Sequence, residues 1–460
     1  MITIPRSLCR DLRAVFRKLA PTRSAPHPPV ELVTGPDRLS VRCVTGTVAV
    51  LFRRPDRLCE ARLLVPPDPL NECGGRDDSP VTFAPDPDRP LGVNWTASGV
   101  PHARTYDAPA RADPPPTPPD ALTAVPTRLL AALDAASQVT AKESARYALN
   151  HLQLKGGTGE VVASDGKQLL VESGFSFPWT DDVLVPRTAV FGVLAALDPG
   201  AVSVGKTATH VWVSAGPWAV ALAVDPKGRF PDVVGALPRA SSGGTTLSLD
   251  PADAAGLAAV LPGLPGKVDD NRPVTLDLNG HAAVRAKGDA DPRPVELELP
   301  RSRVEGGPVR IACDRSHLLR AIQLGFPSVR VLAPDRPVAC REGNRTYGWM
   351  PLVADVAIEP SPDAVAVRLP TAAAASRPVK SMPTRREAKQ EKSPARRAVP
   401  RRSSSRSGGG LVEEALAVRD ALKALLGRVR ALVEEARRQQ HQHRLVRATL
   451  ASLRQLQTVG

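Results

Sequence analysis

Aromatic residues, paired cysteines and long apolar runs are scarce in this chain of 460 residues. Hydrophobic residues make up 42 % of the sequence and aromatic residues only 3 %, so its cores must be built mainly from Ala, Val and Leu. The six cysteines are scattered without a Cys-x-x-Cys pair, which argues against a zinc site and is typical of reduced intracellular thiols. No apolar run is long enough to cross a bilayer, and residues 1–4 are too short for the apolar part of a signal peptide. We therefore expect a cytoplasmic protein that has no membrane partner.

The sequence also lacks the spacing of a known catalytic centre. Its histidines lie apart from one another, and no nucleophile has a base at a motif spacing. The stretch "GGTGEVVASDGKQ" suggests a phosphate-binding loop, but no helix follows its glycines, and Gln168 rather than Ser or Thr follows Lys167. Its Gly-rich and Asp-Gly turns instead predict strands at residues 149–154, 161–163 and 169–171. We expect no catalytic residue, no metal and no cofactor.

Basic residues are concentrated at the C-terminal end of the chain. Residues 371–460 contain 20 Lys and Arg against 7 Asp and Glu, a net charge of +13 out of +14 for the whole chain. Residues 1–370 contain 41 basic and 40 acidic residues and are nearly neutral. A basic tail on a neutral body indicates a polyanionic partner, most often nucleic acid.

A faint internal repeat of roughly 120 residues runs through the neutral part of the chain. The segments "ITIPRSLCRDLRAVFRKL", "TAVPTRLLAALDAASQVT" and "LSLDPADAAGLAAVLPGL" each combine a β-prone stretch, a proline and a helical pattern. A strand-turn-helix segment follows each of them, and a pair of alternating strands comes next. The pattern predicts an α+β fold of three similar units, each made of two strand-and-helix halves.

Loop-forming stretches and a change in composition near residue 361 predict the domain boundaries. They are 1–112, 120–240 and 244–358 for three domains, 361–410 for a disordered basic linker, and 411–457 for a helical segment. Apolar residues recur four and three apart from Leu411 to Leu453, with two polar layers in the middle. This heptad pattern favours a coiled coil or a helical hairpin. An amphipathic helix docked on the body is the alternative.

Basic residues recur on the predicted helices of the three units. They are Arg10, Arg13, Arg17, Lys18, Arg128, Arg187, Arg315 and Arg320. The first three are spaced three and four apart and therefore share one helix face. An ordinary solvated face is one interpretation. The other is a surface for the phosphate backbone, which would be non-specific and sensitive to salt.

Several of these segments resemble one protein family. "RYALNHLQL", "GEVVASDGKQLLV", "VLVPRTAVFGVLAAL" and "GRFPDVVGALPR" resemble the central domain of the bacterial DNA polymerase III beta subunit, the sliding clamp. "RTYGWMPLV" is similar to the C-terminal segment of that family. The resemblance covers about residues 1–355 and is strongest over 123–238. This chain departs from the family at Lys167 and Gln168, where His-Arg is usual, at Pro101 in the strand expected at the subunit interface, and in a C-terminal extension of about a hundred residues.

The resemblance implies a non-catalytic processivity factor, located in the bacterial cytoplasm and associated with the nucleoid. Two three-domain chains would form a head-to-tail ring, with helices lining the hole around double-stranded DNA and antiparallel sheets outside. DNA polymerase and clamp-loader peptides would bind in a pocket between the second and third domains. Carried over by motif, the pocket residues are Leu149, Ser164, Gly166, Lys167, Leu169, Pro231, Leu237, Pro337, Met350, Pro351 and Leu352.

A second hypothesis keeps the clamp fold but changes the role. In it, the chain is a DNA-binding or scaffold paralogue, and its basic tail and C-terminal helix provide DNA affinity or oligomerisation.

Overall fold

The computed structural model describes residues 1–19, 27–57, 59–85, 91–107, 109, 111–143, 147–238, 243–266, 271–288 and 293–369. The chain divides into two units, Met1–Lys380 and Ser381–Gly460, and every described residue lies in the first unit. The predicted coiled-coil segment at 411–457, and residues 370–410 of the predicted linker, lie outside the described residues.

Ten elements in the order β-α-β-β-β-β-α-β-β-β recur three times along the chain. Copy one consists of β1 (Ile2–Pro5), α1 (Arg6–Phe16), β2 (Val30–Thr34), β3 (Arg38–Val44), β4 (Val48–Pro55), β5 (Ala61–Val65), α2 (Asp68–Cys73), β6 (Pro80–Ala84), β7 (Leu91–Ala97) and β8 (Val100–Tyr106). Copy two consists of β9 (Thr123–Val125), α3 (Leu129–Val139), β10 (His151–Lys155), β11 (Glu160–Ser164), β12 (Gln168–Glu172), β13 (Asp182–Pro186), α4 (Val190–Ala196), β14 (Val202–Lys206), β15 (His210–Ala215) and β16 (Trp218–Ala223).

Copy three repeats this order with one additional short strand, β21. It consists of β17 (Thr245–Ser248), α5 (Pro251–Val260), β18 (Pro273–Leu278), β19 (Ala282–Ala286), β20 (Val295–Glu298), β21 (Arg303–Glu305), β22 (Val309–Asp314), α6 (Arg315–Gln323), β23 (Ser328–Val331), β24 (Val338–Glu342) and β25 (Arg345–Trp349). A final strand, β26 (Val365–Val367), follows copy three. Short 3-10 turns lie at Val234–Ala236, Leu261–Gly263 and Ala354–Val356.

The first helix of each copy begins at or shortly after a proline, as the sequence predicts. Pro5 directly precedes α1, Pro251 is the first residue of α5, and Pro126 accepts a backbone hydrogen bond in the turn before α3. Proline is suited to this position because its fixed φ matches the first helical turn, where its missing N–H is not needed. In α5 the carboxylate of Asp250 also caps the helix by accepting from two backbone N–H groups.

The strands in the described ranges form four sheets, and two of these sheets continue from one copy into the next. The strand orders are β1-β6-β7-β8, β5-β2-β3-β4-β16-β15-β14-β9, β13-β10-β11-β12-β25-β24-β23-β17-β21 and β22-β18-β19-β20-β26. Among the described residues, every strand pair is antiparallel except β20–β26, which is parallel. The helices pack in pairs within each copy, α1 with α2, α3 with α4 and α5 with α6.

Equivalent strand pairs connect the copies. At the first junction, β4 of copy one pairs with β16 of copy two, and Val50 lies opposite Val220. At the second junction, β12 of copy two pairs with β25 of copy three, and Leu170 lies opposite Tyr347. All four side chains are buried, so each junction continues the hydrophobic core from one copy into the next.

Aromatic side chains, although few, collect at these junctions. Trp218 lies edge-on to Phe16 and Phe52, with ring centroids 6.2 Å and 4.9 Å away. At the second junction, the ring of Tyr347 lies 6.1 Å from that of Phe326 and 5.6 Å from that of Trp349. Large side chains therefore fill the space where two copies meet.

The structure corrects the predicted start of the linker. The sequence predicts disorder from residue 361 onward, whereas residues 365–367 form β26, and Val367 packs against the main core. A three-residue strand is too short to produce a periodic signal in the sequence. Its formation depends on the unpaired edge of β20, which only the folded chain provides.

The stretch "GGTGEVVASDGKQ" forms the predicted turns and strands. Residues 156–159 connect β10 to β11, and the Asp-Gly turn connects β11 to β12. Gly159 and Gly166 have φ angles of +66° and +89°, which residues with a side chain rarely adopt.

We predict that Gly159→Ala lowers the free energy of unfolding by at least about 1 kcal/mol. The positive φ disfavours a side chain, and a Cβ at this position would overlap the carbonyl oxygen of Phe175. Gly157→Ala is the matched control, because its φ is not positive and its Cβ would lie 3.5 Å from the carbonyl oxygen of Thr180. Urea unfolding of both variants provides the measurement, and equal stability of the two would contradict the prediction.

Candidate functional site

A small apolar cluster lies beside the second junction, apart from the main core. Val162, Leu169 and Val171 are its buried members, and Phe230, Val233 and Leu237 pack against them. We call these six residues the outer patch. Because strand residues alternate between the two faces of a sheet, the patch occupies the face opposite to core residues such as Leu170.

A cavity of about 90 Å³ opens between the outer patch and the second junction. Seven predicted pocket residues line it, namely Ser164, Gly166, Lys167, Leu169, Leu237, Pro337 and Met350. The structure thus brings together residues that lie up to about 190 positions apart in the sequence.

The remaining predicted pocket residues have different positions. Leu149 lies next to the cavity, with its Cδ1 3.6 Å from where a Cβ on Gly166 would be. Pro231, Pro351 and Leu352 are not among the residues that line the cavity. Five further residues line the cavity without having been predicted from the sequence, namely Gln168, Val233, Ala236, Gly348 and Trp349. Gly348 and Trp349 directly precede the quoted "MPL" segment, so the register of β25 was the signal that could have identified them.

The turn between β11 and β12 is held by its own side chains. The Oδ1 of Asp165 accepts hydrogen bonds from the backbone N of Lys167 at 2.8 Å and of Gln168 at 2.9 Å. Ser164 Oγ donates to the carbonyl oxygen of Gln168 at 2.7 Å and accepts from the N of Gly166 at 3.0 Å. These bonds fix the rim of the cavity, as is usual for Asx-type turns.

Gly348 allows the outer patch to contact the second junction. A Cβ at this position would overlap both Leu237 Cδ2 and the carbonyl oxygen of Val338. Glycine is therefore the residue that lets Leu237 lie directly on β25 and close one wall of the cavity.

The rim of the cavity carries one exposed apolar and one basic side chain. Met350 is 46 % exposed, and its backbone N donates to the carbonyl oxygen of Lys167 at 2.9 Å. Lys167 Nζ donates to Asn271 Oδ1 at 3.0 Å. The cavity thus has an apolar floor with a few polar groups at its rim.

Below the cavity, buried polar groups join β12, β25 and α6. The hydroxyl of Tyr347 lies 2.7 Å from Gln168 Oε1 and 3.3 Å from the carbonyl oxygen of His317. Burial raises the pKa of Tyr347 well above its usual range. Burial lowers the pKa of His317, and this effect outweighs the opposing effects of Asp314 and Asp165. His317 is therefore neutral in the folded chain at neutral pH.

We predict that part of the stability of the fold is lost in acid through His317. Because its folded pKa is below its unfolded value, its contribution is present above the unfolded pKa near 6.5 and is lost as the pH falls through the folded pKa. The melting temperature should therefore fall less between pH 7.5 and pH 5 in His317→Gln than in the unsubstituted protein. His281→Gln, at an exposed histidine, serves as the control. An identical fall in the two variants would rule out this role.

The predicted DNA-facing residues differ in their surroundings. On and just after α1, Arg10, Arg17 and Lys18 are exposed, whereas Arg13 is half-buried. Arg10 pairs with Asp11, with N–O distances of 2.9 Å and 3.0 Å. Of the predicted basic face of α1, Arg10 and Arg17 are therefore accessible to solvent and Arg13 only partly so.

The structure corrects the prediction that Arg315 faces DNA. Arg315 is only 4 % exposed. Its guanidinium donates to four backbone carbonyl oxygens, those of Arg272, Leu261, Leu264 and Pro265. These bonds tie the start of α6 to the end of α5. A basic residue at the start of a helix can face solvent or can bind buried carbonyl oxygens. Its position in the sequence is the same in both cases, so the sequence could not distinguish them.

Three further predicted basic residues lie in copies two and three. Arg128 donates to the carbonyl oxygens of Ser173 at 3.0 Å and Gly174 at 2.8 Å, and its guanidinium lies 4.2 Å above the Phe175 ring. Arg320 is half-buried and donates to Gln138 Oε1 on α3. Arg187 is exposed. Among these three residues, only Arg187 makes no hydrogen bond, ion pair or ring contact within the described part of the chain.

The groove between α3, α4 and α6 has mixed charge. It has a volume of about 550 Å³, and its lining includes Asp134, Glu172 and Glu342 as well as Arg128 and Arg345. Burial raises the pKa of Glu172, and the Arg345 guanidinium opposes this shift. The groove therefore does not present a uniformly basic surface.

The thiols do not form a reactive group. All six cysteines are free, and all except Cys59 are buried. Burial raises the pKa of Cys43 and of Cys313 to about 12, so both are protonated at neutral pH.

Within the described ranges, no three His, Cys, Asp or Glu side chains are grouped to hold a metal ion. Over the same ranges, none of the helices combines the length and the apolar character that a membrane span requires.

Neither a family model nor a curated protein matches this sequence. Solved structures do match. A DnaN sliding clamp (DNA polymerase III subunit beta) from Pseudomonas aeruginosa bound to griselimycin has a TM-score of 0.60 and 22 % identity, covering 76 % of this chain and 99 % of that one. The DnaN clamp from Bartonella birtlesii bound to griselimycin has a TM-score of 0.62 and 17 % identity, covering 77 % and 99 %. The DNA polymerase III beta subunit from Thermotoga maritima has a TM-score of 0.61 and 16 % identity, covering 76 % and 99 %.

These likenesses extend over almost the full length of each clamp, at low sequence identity. They show that the described part of this chain has the fold of bacterial DNA polymerase III beta sliding clamps. The clamp-type fold expected from the resemblance is thereby confirmed for these residues, whereas the division into three domains, the disordered linker and the coiled coil stay predictions.

Proposed function

We propose that this chain is a divergent sliding clamp, a processivity factor that encircles double-stranded DNA and tethers a DNA polymerase and other replication or repair proteins. In this proposal the three copies are three domains. The chain has no catalytic activity of its own, needs no cofactor and acts in the cytoplasm on the nucleoid.

The observation that carries the proposal is the repeated junction. Copy one joins copy two, and copy two joins copy three, through equivalent antiparallel strand pairs. The equivalent strands left at the two ends are β20 in copy three and β8 in copy one. A head-to-tail contact between two chains would repeat the same junction, and such contacts form a closed ring when the rotation between subunits permits it.

We predict that the full chain remains on nicked circular plasmid DNA and dissociates once the plasmid is cut. A ring linked to a circle leaves only by opening or by sliding off an end, so the retained fraction should depend on the ends of the DNA and only weakly on salt. Gel filtration of the protein with the circular and the linearised form of one plasmid measures this fraction. Equal retention on both forms would indicate simple charge-driven binding.

A second candidate function, a clamp-fold DNA-binding or scaffold paralogue, is favoured by the distribution of charge. Residues 1–370 are nearly neutral, whereas residues 371–460 have a net charge of +13, and binding through such a tail would fall steeply with salt. Deletion of residues 372–460 separates the two functions, because it leaves every described residue in place. A ring would still be retained on circular DNA after this deletion, whereas tail-dependent binding would be lost.

We also propose that the cavity beside the outer patch binds peptides of DNA polymerase and of the clamp loader. Its apolar floor, its Lys167 rim and the exposed Met350 support this role. Leu169 is only 5 % exposed, so a charge at that position would disturb the fold as well as binding. Met350 is the better position for a substitution.

Two clamps with this fold are bound to griselimycin, and we propose that griselimycin binds this cavity in the present chain. We predict that Met350→Asp weakens griselimycin binding at least ~10-fold, since a desolvated charge at an apolar contact costs more than 1.4 kcal/mol. Val353→Asp is the control, because Val353 is 72 % exposed and does not line the cavity. Calorimetric titration gives the affinities. Equal affinity of the two variants would place the ligand elsewhere.

A further inference from the structure

The strand β26 stands outside the threefold repeat and covers an edge that the repeat assigns to another strand. It pairs in parallel with β20, placing Val365, Ala366 and Val367 opposite Val295, Glu296 and Leu297 respectively. The backbone N of Val365 donates to the carbonyl oxygen of Pro294 at 2.8 Å. Three of the four residues of β20 are therefore covered by the chain's own C-terminal segment.

The internal symmetry identifies the strand that β20 would otherwise bind. β4, β12 and β20 occupy the same place in the three copies, and β16 and β25, the last strands of copies two and three, bind the first two of them. The last strand of copy one is β8, which is an edge strand among the described residues. If the same rule extends to a second copy, β20 of one chain would pair with β8 of the other.

One edge of a strand can bind only one partner at a time. β20 already uses its opposite edge to pair with β19, so β26 and an incoming β8 need the same row of backbone groups. We propose that residues 361–369 form a strap that competes with a second copy of this chain for β20. This inference rests on the proposed ring, and in it the strap must leave β20 before the ring closes.

The side chains of the strap suit this position. Val367 and Leu369 pack against the main core, as the inward-facing residues of β16 and β25 do at the two junctions. A cavity of about 410 Å³ remains where Ala366, Val367 and Leu369 approach Glu298 and the start of α5. The strap therefore covers the end of the copy-three core without filling it completely.

The competing strand β8 presents weaker side-chain contacts than the strands at the two junctions. Two of its core-side positions hold His102, stacked on Trp95 at 5.1 Å, and the exposed Arg104, and a third holds Tyr106, which packs against the main core. The core-side positions of β16 and β25 instead include the buried residues Val220, Leu222, Tyr347 and Trp349. Moreover, a strap belonging to the same chain has a high effective concentration, which a second copy must overcome.

Pro101 is the other weakness of β8. Ala97 and Val100 close a two-residue turn whose central residues, Ser98 and Gly99, have φ angles of +52° and +79°. This type of turn is closed by a hydrogen-bonded pair, so alternation directs the nitrogens of Pro101 and Ala103 toward the open edge. Proline has no N–H to donate there, and a second copy would form one hydrogen bond fewer.

The test opens the strap in the full chain with Val365→Pro, which removes the N–H bonded to Pro294. Val365→Ala is the matched control, because it keeps this N–H and changes a side chain that is 38 % exposed. We expect Val365→Pro to lower the dissociation constant of the dimer roughly 3- to 10-fold, the effect of one backbone hydrogen bond. Val365→Ala should leave the constant unchanged. Sedimentation equilibrium over a concentration series measures it.

A second substitution identifies the edge that binds. Adding Ala103→Pro to Val365→Pro removes another outward N–H from β8 and should abolish the gain in dimerisation. If all chains dimerise equally, the strap is overturned and the ring stands. If all remain monomeric at every concentration, both the strap and the proposed ring are overturned. A gain that survives Ala103→Pro means that dimers form through another surface, which also overturns the inference.

Discussion

Antiparallel pairing between equivalent strands at the two junctions is the interaction on which the rest of this structure depends. A single copy would leave an apolar sheet edge with unpaired backbone groups, which is unfavourable in water. Each neighbouring copy covers that edge and adds a buried pair, Val50 with Val220 and Leu170 with Tyr347. The cavity beside the outer patch exists only because β12 and β25 meet, and the same rule leaves β8 and β20 without an equivalent partner within the chain.

Local sequence patterns predicted most of the elements that this pairing uses. The prolines before the repeat helices, the Gly-rich turn at residues 156–159 and the alternating strands of copy two all fix backbone geometry through their own residues. The lining of the cavity was predicted in part, because motif residues such as Leu169 and Met350 contribute to it directly. Gln168 and Trp349 were missed, because their place in the cavity depends on the register between two strands that are distant in the sequence.

The roles of basic residues and of the C-terminal segment could not be predicted in the same way. Arg315 and Arg10 both lie on helices, but one is surrounded by carbonyl oxygens and the other by solvent. That difference depends on what packs around a helix, which spacing does not encode. β26 has only three residues, and the free edge of β20 is what makes them a strand. The predicted coiled coil and most of the basic linker lie outside the described residues and stay predictions.

The scarcity of aromatic residues gives the molecule a set of natural fluorescent reporters. Of the five tryptophans, Trp218 lies at the first junction and Trp349 at the second, while Trp95 lies behind the open edge against the ring of His102. Trp179 lies within copy two, whereas Trp212 packs in a small cluster with Ala49 and Leu51 of copy one, on the other face of the first junction. Tryptophan emission responds to the packing around the indole. In chains that keep a single tryptophan, Trp218 would therefore report on the first junction, Trp349 on the second and Trp95 on the open edge of β8.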